Sequence, residues 1–172
     1  MSTLFVDTIN EKTSGNGIKI PGHVVQIQET IHTTQETYAN FVYNDLFSVN
    51  ITPKYSDSKI LVMVNVNVGG VSNSYVSLKV LRDSTFINQP TETGTGEETH
   101  FGVKITDEFT TFSFSGQFLD SPSTTSQVTY KVQGSPKRSG SGNTLQLNRS
   151  HTLGDDNQFR TVSSITVMEI AQ

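Results

Sequence analysis

One run constrains the fold of this chain more than any other: YSDSKILVMVNVNVGG, residues 55–70, in which Ile60, Val62, Val64, Val66 and Val68 recur at every second position. Five β-branched side chains at period two are stiff about χ1 and crowd a helix, whereas they pack well on a pleated surface, so the run reads as a strand with one face in a core. The opposite face changes from apolar (Leu61, Met63) to polar (Asn65, Asn67) before Gly69-Gly70 closes the run. A central strand is expected, covered on both sides near Leu61 and Met63 and open near the asparagines. The cover is either another part of the chain or another subunit.

Further segments alternate in the same way. HVVQIQETIH (residues 23–32) does so, and FVYNDLFSVNIT breaks its alternation near Asn44-Asp45, the mark of a bulge or turn. Val76, Leu78 and Val80 share a face, as do Phe112, Phe114 and Phe118 with Gly116 among them. Val128, Tyr130 and Val132 follow, then the short TLQL, then SSITVMEIA with Ile165 and Val167 opposite Thr166, Met168 and Ile170. Gly, Pro, Ser, Asn and Asp clusters separate these runs, and no segment has a helical period. About eight short strands predict an all-β chain, an antiparallel β-sandwich that is jelly-roll-like. Ser and Thr, roughly a quarter of the residues, suit such a protein better than a helical one.

The 172 residues suffice for one core without metals or disulfides, and the sequence has no cysteine. Residues 1–21 alternate too weakly to form a core of their own. Leu4, Val6, Ile9, Ile18 and Ile20 therefore read as an extended N-terminal attachment arm, leaving residues 22–172 as the head domain. MSTLFVDTIN lacks the basic and apolar regions of a signal peptide, and no apolar run approaches the ~20 residues that span a bilayer, so a soluble chain without a membrane partner is expected. A net charge of -4 argues against nucleic acid as a partner.

Chemistry is sparse. The four histidines, His23, His32, His100 and His151, lack metal-pair spacing. Asp155-Asp156-Asn157 lacks the rest of an EF-hand, and Glu97-Glu98 lie in a Gly/Thr-rich loop rather than as a placed acid pair. No nucleotide loop or nucleophile elbow is present, so neither an enzyme nor a cofactor is expected. Asn50-Ile51-Thr52 and Asn148-Arg149-Ser150 match the glycosylation pattern and read as chance occurrences. Tyr38, Phe41 and Tyr43, with Glu97 and His100 of the long connection at residues 88–102, are the candidate recognition loops for a host-surface glycan. Leu61 and Met63 are the candidate subunit interface.

Four blocks carry a family resemblance: STLFVDTINEKTSGNGIKIPGHVVQ, ITPKYSDSKILVMVNV, LDSPSTTSQVTYKVQ and SSITVMEIAQ. They are similar to the corresponding blocks of small virion proteins of marine tailed phages, particularly those infecting cyanobacteria. The resemblance covers the arm and the scaffold strands but not residues 88–102 or 134–160. It implies a structural or host-interaction role on the virion exterior, as a head decoration or knob protein, a head fibre or a tail-fibre component. It also implies a homotrimer with a jelly-roll head, fixed to other virion proteins of capsid or tail by its N-terminal arm.

Overall fold

The computed structural model describes residues 8–10, 15, 17–91, 94–137, 142–152, 154 and 158–172, and none of these is helical. Their eleven strands are β1 (Val24–His32), β2 (Glu36–Tyr38), β3 (Asn44–Ile51), β4 (Lys59–Gly70), β5 (Tyr75–Arg82), β6 (Thr85–Phe86), β7 (Phe101–Lys104), β8 (Phe112–Asp120), β9 (Val128–Lys137), β10 (Leu145–Leu147) and β11 (Ser163–Ile170). Every ladder is antiparallel.

β4 is the axis of the first sheet. Its residues Ile60–Val68 pair with β8 along one edge. On the other edge β11 pairs with Lys59–Asn65 and β10 with Val68–Gly70, end to end in one column. β1 and β2 line up beyond them as a second interrupted column, β1 on β11 and β2 on β10. The second sheet runs β3, β9, β5, with β7 and β6 sharing the far edge of β5. The first sheet is therefore β1, β11, β4, β8 and the second β3, β9, β5, β7. The chain visits them in the order of a jelly roll, β5 and β7 being the consecutive pair within one sheet, which bears out the expected class.

The valine face fills the space between the sheets. Ile60, Val62, Val66 and Val68 are fully buried and Val64 nearly so, meeting Leu46, Val49, Ile51, Leu78, Val80, Tyr130 and Val132 from the second sheet. The irregularity near Asn44-Asp45 is a bulge against β9 between Asp45 and Phe47. Phe112, Phe114 and Phe118 pack on the rim of this core, and Gly116 among them is required: a Cβ there would lie 2.6 Å from the Phe101 ring. The chain also departs from its sequence reading. β9 runs through Gly134, Ser135 and Pro136 to Lys137, where a loop was expected. Proline is tolerated because β3 ends opposite Gly134, so Pro136 has a neighbouring strand only on the β5 side.

Polar residues close both ends of the core. At one end Gln26, Glu169, Ile60 and Asp120 form a single cross-strand row on the inner face. The fully buried Glu169 carboxylate accepts the backbone N–H groups of Lys54 (2.9 Å) and Tyr55 (3.1 Å) and the Gln26 amide (2.6 Å). Asp120 accepts Arg82 (2.6 Å) and the Tyr130 hydroxyl (2.7 Å) from the opposite sheet. At the other end Asn148, fully buried with φ 60°, sits between the collinear strands β10 and β11. Its Nδ2 donates to the carbonyls of His32 (2.7 Å) and Thr34 (3.0 Å), and its Oδ1 accepts from Ser163 (2.6 Å). A glycan on this amide is incompatible with the folded chain. Gly69 lets the adjoining backbone lie flat on β4, since a Cβ would stand 2.4 Å from the Arg149 carbonyl.

Truncating either anchor strands buried backbone groups. Asn148→Ala and Glu169→Ala are each expected to cost roughly 2–4 kcal/mol, from several lost hydrogen bonds and unsatisfied partners. Chemical denaturation checks this as a lower midpoint at unchanged slope; a wild-type midpoint in either variant would remove its anchor role.

Candidate functional site

The outer face of the first sheet carries several exposed apolar side chains, Val24, Ile27, Ile31 and Leu119. Pairing places Ile27 beside Met168, Met168 beside Leu61 and Leu61 beside Leu119, one apolar row across all four columns. Ile27 and Leu119 are 52% and 47% exposed, while Leu61 and Met168 between them are half-buried. The next row outward holds Val24, Ile170 and Lys59, and the next row inward Glu29, Thr166, Met63 and Gln117. Met63 edges a shallow hollow of about 360 Å³ over Ser115, Gly116 and Gln117. Within this chain Asn65 is exposed as expected, but the covered position on this face of β4 is Asn67 rather than Leu61 and Met63. Asn67 is buried under the Val162 carbonyl (2.6 Å) and beside Ser113, whereas Leu61 and Met63 are left half-open. The reason is local. The glycine pair admits the backbone around Arg149, and the Asn67 amide supplies the polar contacts that such a cover needs.

The described part of the arm leaves the sandwich where the chain's last strand ends. Gly22 donates to the Ala171 carbonyl (2.8 Å) and Ala171 to that of His23 (3.0 Å), extending the ladder of β1 and β11 by one step. Lys19 pairs with Asp57 at 2.6 Å, and the Tyr55 hydroxyl donates to the Gly17 carbonyl at 3.0 Å. Ile9, Ile18 and Ile20 stay exposed, so the head domain leaves these three side chains uncovered. Leu4 and Val6 lie outside the described residues.

The loop candidates separate into three places. Tyr38 lies in β2 of the first sheet, packs against the core and donates its hydroxyl to Glu36. Phe41, 46% exposed, stands with Val42 on a turn fastened by reciprocal bonds between Asn40 and Asn44. Tyr43 and Glu97 come together on the outer face of the second sheet. The Tyr43 hydroxyl is 3.0 Å from Ser77, and its ring carries the ammonium groups of Lys79 (4.2 Å) and Lys137 (4.4 Å). Glu97 pairs with Lys137 at 2.7 Å. Burial pushes the Glu97 carboxyl up, but hydrogen bonds from Lys137 and Tyr43 outweigh it and hold the group below the usual carboxylate range. Lys79 is the partner that sequence reasoning passed over. Its signal was present, since Tyr75, Ser77 and Lys79 alternate with the core residues of β5 and must share its outer face.

His100 lies against the core margin. Its Nδ1 accepts the Val80 N–H at 2.9 Å and its Nε2 donates to the Ile87 carbonyl at 2.9 Å, which fixes the neutral tautomer. Phe86 and Phe118 flank the ring at 4.7 and 4.3 Å between centroids. Both nitrogens are thus committed to the backbone. Among the described residues no group of three or more His, Cys, Asp and Glu side chains could hold a metal ion, and no helix is long and apolar enough to cross a membrane. Asp155, Asp156 and Asn157 lie outside the described residues.

Burial lowers the His100 imidazole below its ordinary value. The unfolded chain then binds the proton more readily than the folded one, so stability is full above the unfolded value of about 6.5 and falls as pH drops toward the folded value. Urea midpoints measured on either side of that value should show the loss, and His100→Gln should flatten this part of the profile. An unchanged slope in the variant would assign the loss to another group.

No family model and no curated protein matches the chain. Among the solved structures similar to it are two of infectious bursal disease virus, the Gx strain and the Gt strain. The Gx chain has 12% identity and a TM-score of 0.46, with 86% of this chain and 37% of that one covered. The Gt chain has 12% identity and a TM-score of 0.45, with 86% and 43% covered. This chain thus spans less than half the length of either, and a likeness at that level carries no argument about function.

Proposed function

We propose that the chain is a non-enzymatic structural protein of a bacteriophage virion exterior, a capsid decoration, knob or head-fibre protein. Copies join through the outer face of the first sheet, and residues 1–21 fasten them to the particle. The observation that carries this reading is the row Ile27, Met168, Leu61, Leu119, an apolar band where a monomeric antiparallel sheet places polar side chains. The partner it fits is a second copy. Four columns about 4.8 Å apart over some eight residues give roughly 500 Å² per side, so about 1,000 Å² in total, the lower bound of a specific interface. Lys59 and Glu29, on either side of the band, supply opposite charges for a neighbouring copy. The exposed isoleucines of the arm support attachment to another virion protein, and the sequence blocks that resemble phage virion proteins supply the biological setting.

A tail-fibre component that binds host-surface glycans is the second reading, favoured by the Tyr43, Lys79 and Lys137 cluster.

Sedimentation of the purified chain at micromolar concentration should give an oligomer, a trimer on the resemblance. Ile27→Lys with Leu119→Lys should give a monomer whose thermal midpoint moves by no more than a few degrees, because both side chains are already half exposed. A monodisperse wild-type monomer would sink the interface. Deleting residues 1–21 should leave a folded head that no longer joins particles; retained incorporation would sink the arm's role.

A further inference from the structure

The outer face of the second sheet holds an open hollow of about 400 Å³, in the lower part of the size range of small-molecule sites. Tyr75 of β5 stands in one cross-strand row between Lys104 of β7 and Lys137 of β9. Tyr75 is 39% exposed, and neither its hydroxyl nor the Lys104 ammonium has a partner among the described residues. Gly102 opens the wall: a Cβ there would meet nothing nearer than 3.6 Å, so no neighbour demands the glycine. Glu97 is the one carboxylate lining the hollow. Lys137 pairs with it at 2.7 Å, which leaves Lys104 and, behind on the Tyr43 ring, Lys79 as the excess positive charge. On a chain of net charge -4 this is a local excess of positive charge at a concave site, where a counter-ion is attracted most strongly.

Two chemistries therefore meet in one place. The ammonium groups call for an anion, and the exposed Tyr75 ring calls for a flat apolar surface. An inorganic anion would use only the first. We infer that the hollow binds a carboxylate-bearing sugar of an acidic glycan, the ring's C–H face on Tyr75, its carboxylate on Lys104 and Lys137, and a hydroxyl donating to Glu97. The inference rests on the glycan-binding reading above and stands apart from self-association, since it uses the opposite sheet.

Titration calorimetry on the full chain, with tetragalacturonate and sialyllactose as probes and hexaglutamate as the charged control, tests it. Saccharide binding that hexaglutamate does not reproduce is expected. Gly102→Val, whose Cβ makes only ordinary contacts and whose methyl groups narrow the hollow, and Tyr75→Ala should each weaken it about tenfold or more, and Lys104→Gln severalfold with a smaller salt dependence. Circular dichroism and the oligomeric state of the Gly102→Val chain should match wild type, separating a failed site from a failed fold or assembly. Absence of saccharide binding, equal binding of hexaglutamate, or unchanged binding in Gly102→Val would each overturn the proposal.

Discussion

The structure hangs on β4 being hydrogen-bonded along both edges while one of its faces is wholly apolar. A strand paired on one side can slide or fray. Here β8 holds residues 60–68 on one edge and β11 with β10 holds 59–65 and 68–70 on the other, so a slip of one residue would turn Ile60 and four valines to solvent. Fully burying such side chains is worth about 1.5–3 kcal/mol each, which sets the register firmly. The remaining strands take their positions from this ladder.

The apolar face leaves both ends of the core to be closed, and closure is where the polar side chains are spent. On the edge of β4 away from β8, two columns are each built from two strands, β11 with β10 and β1 with β2, and Asn148 occupies the join. It does there what a continuous ladder would otherwise do, satisfying carbonyls of one broken column while binding the other. At the opposite end Glu169 and Asp120 flank Ile60 and receive donors from the loop at Lys54-Tyr55 and from the second sheet. Buried carboxylates are costly unless every lone pair is met by well-placed donors, and these have donors in place because the row geometry brings them.

How much of this was legible in the sequence follows from the same physics. Period two placed the core faces of β4, β5, β8, β9 and β11 because burial acts on every second residue, whereas in β1 the apolar Ile27 and Ile31 face outward. The short strands β2, β6 and β7 were missed, since two to four residues carry too little period to separate from a loop. β7 was hidden inside a Gly/Thr-rich connection although Phe101 and Val103 alternate with Gly102 and Lys104. Gly134-Ser135-Pro136 looked like a turn because the sequence does not say that the neighbouring strand has already ended. Asn148 drew attention only through a three-residue glycosylation match, and its left-handed backbone between two collinear strands has no local signature. Tyr43 and Glu97 meet on one surface, while Tyr38 and His100 are occupied by contacts within the fold, a distinction that depends wholly on tertiary placement.

The two outer faces then differ for a reason that lies in strand parity. Once the valine face is committed inward, Leu61, Met168, Ile27 and Leu119 must face outward together, and their apolar character has no use within the monomer. Once Val76, Leu78 and Val80 are committed inward, Tyr75, Ser77 and Lys79 must face outward on the other sheet, where Lys104, Lys137 and Tyr43 join them. An apolar face gains free energy by meeting its like, whereas a face of ammonium groups repels another copy of itself. One side of this sandwich is therefore suited to packing against a neighbour and the other to staying in solvent.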